Sequence, residues 1–349
     1  MKRNIKIMFL AALTAFGPVS CGDWIEPRSL EIVTPSPEES DPALWAQYLA
    51  SLNSYKNSAH KVVFVTFDNP TDRPAVHRSE HLTAVPDSVD YIILDHPDAL
   101  HPDFAAEFGA VRRKGTKVLY SFSYETFDAA WRELARNDDS MTDEQRLSSL
   151  GVFAKEMLAL CDRWQYDGLV LGYTGVSPLS IPEAERDAAA ALQKAFFAPV
   201  SEWRKSHKDK VLAFMGRPDF VLEEASSVFG ECDYIIVDTD NAVNEGDLTV
   251  RCLKALDAEA VPSDRIVITA LEVRPDDNNQ VFGWFGTLDD QGGKLRALPC
   301  AARWTTLPSP RYARAGLVVK GIRSDYYHVS KVYPHLREAI SIMNPSPIN

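Results

Sequence analysis

The run Tyr166 to Gly175, YDGLVLGYTG, has the makings of a buried strand that ends at a ligand. It opens on the turn pair Asp167-Gly168, passes through apolar residues, and closes on Gly172, Tyr173, Thr174 and Gly175. Past Asp167 it holds no acid. Other apolar runs end on groups with more chemistry: Asp68 and Asn69; Asp95 and His96; Ser121, Ser123 and Tyr124; Arg217; Asp238, Asp240 and Asn241; Glu272 and Arg274; Asp325, Tyr326 and Tyr327. Carboxylates and amides in such places can bond hydroxyls, and aromatic faces can stack on a ring. Trp284 and Phe285, inside FGWFG at 282–286, offer an aromatic lip in a polar loop. Two carboxylates drawn from Glu125, Asp238, Asp240 and Glu272 could act as a general acid–base pair. Each residue also has a plainer use, in solvating a loop, capping a helix or filling a core.

The elements that must position these groups are regular. Short β-branched or apolar runs occur at 61–68, 89–98, 116–125, 166–174, 210–219, 232–241, 264–275 and 315–327. Most are apolar throughout rather than alternating, as in parallel strands covered on both faces. Helical spacing of apolar residues marks 41–58, 101–113, 142–165, 182–206, 219–229, 245–259 and 330–343. Thr142 with Gln145 predicts a capping box, and Ser180 before Pro182 predicts a helix start. Segments 69–88 and 276–304 read as loops, the second with a poor helix near its end. The alternation predicts an α/β fold, a single-domain (β/α)8 TIM barrel over 41–345, with an open doubly wound sheet as the alternative. No GxGxxG follows a strand, so a dinucleotide site is not expected.

Lys2, Arg3 and Lys6 precede an apolar run from Ile7 to Phe16, the pattern of a secretory leader over 1–20. GPVSC resembles a bacterial lipobox, with Pro18 in place of its usual Leu, and would make Cys21 the lipidated residue. Residues 21–40 are then a tether. Asp23 and Glu26 resemble the surface-export signal of Bacteroidetes lipoproteins, which implies an outer-membrane protein facing outward, with the lipid anchor as its one membrane contact. The chain carries 37 basic and 49 acidic residues, a net charge of −12, which argues against nucleic acid as a partner. Cys161, Cys232, Cys252 and Cys300 match no zinc spacing. The eight histidines show no HxH or HExxH pattern. Neither a metal nor a cofactor is expected.

YDGLVLGYTG resembles the fourth strand of family 18 glycoside hydrolases, the chitinases and endo-β-N-acetylglucosaminidases, which carry D-G-x-D-x-D-x-E on a (β/α)8 barrel. Asp167 and Gly168 match, whereas Val170, Gly172 and Thr174 stand where the family has Asp, Asp and Glu. Tyr173 matches the tyrosine before that Glu. The serine-rich end of VLYSFSYE, the YIIVDTDN run and the ending YPHLREAISIMNP are similar to corresponding parts of the family. Strand alternation puts Val170, Gly172 and Thr174 on one face, which in the family points into the barrel.

The resemblance implies a non-catalytic lipoprotein binding N-acetylglucosamine-containing, N-glycan-like glycans, in company with outer-membrane uptake proteins. Its expected ligand contacts are Asp68, Tyr124, Tyr173, Thr174, Asp238, Asp240, Asn241, Glu272, Trp284, Tyr326 and Tyr327. The alternatives are an active glycosidase using carboxylates from other strands, and a barrel that serves only to bind a protein partner.

Overall fold

A computed structural model describes residues 35–138, 140–274, 279–328 and 330–346. The expected leader, Cys21 and the tether up to residue 34 lie outside the described residues. The chain divides between Ala46 and Gln47. Before that point, α1 (Pro37–Ser40) is one turn closed by a capping box between Ser36 and Glu39. The helix α2 (Pro42–Lys56) comes next in the chain.

The main unit then runs β1 (Val62–Phe67), β2 (Tyr91–Leu94), α3 (Pro102–Arg113), β3 (Lys117–Ser123), α4 (Tyr124–Asn137), α5 (Asp143–Arg163), β4 (Gly168–Tyr173), α6 (Arg186–Ser206), β5 (Val211–Gly216), β6 (Tyr234–Val237), α7 (Glu245–Ala255), β7 (Ile266–Leu271), β8 (Trp284–Leu288), β9 (Lys294–Arg296), α8 (Ala297–Thr306), β10 (Arg314–Lys320) and α9 (Pro334–Met343). Eight parallel strands close in the order β1-β10-β7-β6-β5-β4-β3-β2, and β8-β9 form a separate antiparallel pair. The pairing of Val62 with Gly316 and its neighbours shuts the sheet on itself, which excludes the open doubly wound alternative. A side chain at Gly316 would collide with the Val62 carbonyl, at 2.0 Å from its Cβ. The fold is a (β/α)8 TIM barrel.

Alternation along the strands sorts residues between two cores. Phe64, Ile93, Leu119, Val170, Val267 and Val318 pack together inside the barrel. Leu169, Leu171, Tyr173, Phe122 and Phe214 face the helices with Phe196 and Val200 of α6. All six residues of β4 are buried, as a strand with both faces covered requires.

Some expected elements are shifted. The Thr142–Gln145 capping box opens α5. Ser180 does not open α6: it ends one short 3-10 turn, a second follows, and the helix begins at Arg186. The segment at 219–229 is 3-10 rather than α-helical. One helix was not expected: α4, which buries only Phe127 and Trp131, four apart, on an otherwise polar face. The poor helix expected near the end of 276–304 is α8, and β8 and β9 precede it in the stretch read as loop.

The Asp-Gly pair of the opening run has a structural duty. Asp167 receives Arg112 Nε at 2.9 Å and the Val118 amide of β3 at 2.8 Å. Asp90 takes the Val63 amide of β1 and Asp233 takes the Leu212 amide of β5 in the same way, at 2.8 and 2.9 Å. Each carboxylate precedes an even-numbered strand and bonds the strand before it, so each pins a parallel register. Charge-assisted bonds of this kind contribute about 1.5–3 kcal/mol each. Asp167→Ala is therefore expected to destabilise the fold by roughly 2–4 kcal/mol in urea unfolding. A loss under ~0.5 kcal/mol, typical of a bland surface change, would contradict the latch.

Candidate functional site

Barrels of this class place ligands at the carboxyl ends of the strands, so the mouth is the first place to look. Continuing the inward phase of Phe64, Ile93, Val170, Ile236 and Val318 brings Asp68, Asp95, Thr174, Asp238 and Lys320 to that rim. Gly172 shares this phase. Its missing Cβ would lie 2.6 Å from Ser123 Cβ, so β3 and β4 meet there too closely for any side chain. Ser123 is also the cap of α4, accepting the Thr126 amide.

At the end of β4 the nearest described carboxylate comes from the adjoining helix. Glu125 Oε1 accepts the amides of Thr174 and Gly175 at 2.6 and 2.8 Å. Around the rim, Asp240 pairs with Lys320 at 2.6 Å, and its amide donates to Asp238. Asp68, half exposed, pairs with Arg323 at 2.8 Å and with His96 at 3.2 Å. Asn69 is buried, gripping the backbone of His96 with both ends of its amide. With Arg73, Glu80 and Thr71 these residues enclose a cavity of about 230 Å³. Glu80 is buried against Arg73, which holds its carboxyl far below the usual range.

Asp95 differs from the other rim acids. Asp95 is exposed at the rim, and protein packed along part of its side chain removes some of its hydration. That desolvation, with the charge of Asp68 adding to it and those of His96 and Lys320 opposing, pushes it up to about 6.

The expected contacts divide between the mouth and other places. Asp68, Asp238, Asp240 and Thr174 stand at the mouth, and Asn241 is exposed just beyond β6. Tyr173 faces outward: it is buried against Phe197, its hydroxyl accepts Gln193 Nε2 at 2.7 Å, and burial holds that hydroxyl well above its ordinary pKa. Tyr124 lies 5.4 Å from it, ring to ring, and accepts from Arg146. Both line a cavity of about 490 Å³ behind the end of β4, with Glu125, Asp128, Arg132 and Ile181. Glu272 is not at the mouth. It is buried in the outward phase of β7, between Arg296 at 2.7 Å and His335 at 3.1 Å. His335, shared by Asp325 and Glu272, is raised to about 9 by their hydrogen bonds. Trp284 lies under the Arg296 guanidinium at 4.7 Å. Tyr326 is buried against Tyr333, whereas Tyr327 is exposed and bonds Ser79 through its hydroxyl.

Lys320 and Arg323, which neutralise the rim acids, were not foreseen. The signal was present in LVVKGIR: the phase of Val318 turns Lys320 inward. A larger cavity, about 1180 Å³, opens at the opposite end of the barrel beside Tyr91, Tyr234 and Lys56. That end of the fold ordinarily serves stability rather than chemistry.

The family described as glycoside hydrolase family 18, BT1044-like, matches residues 25–342. Among solved structures, a selenomethionine Glu-to-Gln form of BT1044 is 14% identical, with a TM-score of 0.60 over 89% of this chain and 96% of that one. The endo-β-N-acetylglucosaminidase of Cordyceps militaris, in apo form, is 16% identical, with a TM-score of 0.57 over 85% and 95%. A GH18 chitinase of Pseudoalteromonas aurantia is 12% identical, with a TM-score of 0.52 over 80% and 99%. At these identities the structures share the barrel. No curated protein sequence matches.

Two measurements follow from this geometry. Gly172→Ala should cost about 1–3 kcal/mol from overpacking, and Ser123→Gly in the same chain should recover most of it. Equal losses with and without Ser123 would refute the contact. Asp95 holds its proton more tightly folded than unfolded, so its contribution to stability is present at low pH and is lost as pH rises from about 4 through about 6. Asp95→Asn should therefore raise the melting temperature relative to the parent more at neutral pH than at about pH 4. The opposite trend would contradict the raised pKa.

Proposed function

We propose, from the premise that the chain belongs to glycoside hydrolase family 18, BT1044-like, that it binds a glycan at the mouth of the barrel without cutting it. The observation that carries this reading is the inner phase of β4, which presents Val170, Gly172 and Thr174. A general acid must hold a transferable proton at working pH, and none of these three has one. The neighbouring carboxylate, Glu125, has an oxygen committed to two backbone amides. The contact between Gly172 and Ser123 leaves no room for an acid at that position. Missing acid–base help costs about 10²–10⁴ in rate, and missing charge stabilisation of the transition state costs about 10²–10³ more.

The same mouth suits a neutral polyhydroxyl ligand. Asp68, Asp238, Asp240 and Asn241 offer hydrogen-bond acceptors or donors, and exposed Tyr327 offers a stacking face. One similar structure is named as an endo-β-N-acetylglucosaminidase and another as a chitinase. By analogy the ligand is a glycan containing N-acetylglucosamine, such as an N-glycan core. A lipidated Cys21 would hold the barrel on the outer face of the outer membrane and present captured glycan to an uptake system.

Asp95 favours a second reading, an active glycosidase. A carboxyl raised to about 6 at the mouth has the character of a general acid. Of the four acids expected for this role, Glu272 is buried away from the mouth, Glu125 bonds two backbone amides, and Asp238 and Asp240 stand at the rim.

One experiment separates the two. Purified protein is expected to bind chitobiose-core glycans in calorimetry and to release no product from a glycoprotein in a long incubation. Release at an ordinary enzymatic rate, abolished by Asp95→Asn, would establish the second reading and end the first. Absence of binding to any N-acetylglucosamine-containing glycan would also end the first.

A further inference from the structure

Outside the mouth, three side chains converge that neither reading uses. Asp325 is fully buried where the chain leaves β10, and His328 and His335 approach it from the same segment and from the start of α9. Asp325 Oδ1 lies 3.3 Å from His328 Nε2 and 3.1 Å from His335 Nδ1. One donor atom from each of the three lies within 4.8 Å of the others. The imidazole rings stand edge to face at 85°, with centroids 5.0 Å apart.

His328 Nε2 is buried, and despite the short distance to Asp325 it has no hydrogen-bond partner. A ring nitrogen 3.3 Å from a carboxylate oxygen with no hydrogen bond between them is directed off the line to that oxygen, which leaves it for a third atom. A tetrahedral ion with ligands at about 2.0–2.2 Å has ligand-to-ligand edges of roughly 3.3–3.6 Å. The two edges through Asp325 are within a few tenths of that. The carboxylate is also fixed from behind: Asp325 accepts the His335 amide at 3.2 Å through Oδ1 and the Leu336 amide at 2.8 Å through Oδ2. Outer bonds of this kind hold a ligand ready for a metal.

The geometry points to a site for a zinc-class divalent ion held by Asp325, His328 and His335. Two imidazoles and one carboxylate suit zinc better than the oxygen-seeking calcium or magnesium. Three protein ligands leave a fourth position for water. His335 would exchange its bonds to carboxylates for the metal, giving up a proton to do so. The spacing D-x2-H-x6-H follows neither histidine pattern sought in the sequence, which is why the sequence reading expected no metal. The ion would brace the segment that carries Tyr326 and Tyr327. This inference goes beyond the glycan reading and stands or falls without it.

The test uses the full chain, freed of any affinity tag and stripped of metal, titrated with zinc chloride by calorimetry and followed by thermal melting. His328→Ala is the informative variant, because His328 Nε2 has no hydrogen bond to lose and its side chain is partly exposed. The parent is expected to bind one zinc ion per chain and to melt higher with zinc, an effect reversed by chelator. His328→Ala should melt like the parent in chelator and bind zinc at least ~10–100-fold more weakly, since even outer-shell changes cost that much. A parent that takes up no zinc would overturn the inference, as would stoichiometric binding that His328→Ala leaves unchanged. Calcium or magnesium binding there in preference to zinc would overturn the assigned class.

Discussion

The register of β4 between β3 and β5 is the constraint on which the mouth of this barrel depends. Side chains alternate along a strand, so a slip of one residue would exchange the lumen face for the helix face. Leu119 pairs with Gly168 on one side, and Gly168 pairs with Val211 on the other. Asp167 holds that register by taking the Val118 amide, and Asp90 and Asp233 repeat the device two strands away in either direction. Glycine at 168 is demanded by the same packing, since a Cβ there would meet the Val211 carbonyl at 2.1 Å. An acid at the start of β4 thus serves the frame of the barrel.

Around the mouth, negative groups are abundant but mostly answered. Asp240 has Lys320, Asp68 has Arg323 and His96, and Glu125 has two amides. Asp95 is the described rim acid for which enclosure outweighs nearby positive charge. The raised carboxyl of Asp95 is what divides a binding reading from a catalytic one.

Aromatic residues show how strongly packing overrides composition. Tyr173 and Tyr326 sit beside strand ends, yet both turn into the layer between sheet and helices, where large rings bury the most apolar area. Tyr327, next in sequence to Tyr326, is left exposed. On the same side of the barrel, Glu272 leaves the mouth for the pair made by Arg296 and His335. Long-range neighbours decided each of these placements.

Eight strands, their parallel order and most helices could be read from continuous apolar runs and three- to four-residue spacing, because burial on two faces or one leaves a periodic mark. The helix α4 escaped because β3 runs straight into it, Ser123 both ending the strand and capping the helix, and α8 left only a poor trace because it is buried on nearly every side within a polar segment. The inward phase of Val170, Gly172 and Thr174 was also legible, since alternation is a local property of a strand. Which acids are neutralised, which rings face the lumen, and where Asp325, His328 and His335 meet were settled by tertiary structure alone. Those facts depend on closure of the sheet, which sets β10 between β1 and β7, and on the start of α9 meeting the turn after β10. No local pattern in the chain encodes distances between residues that only closure makes neighbours.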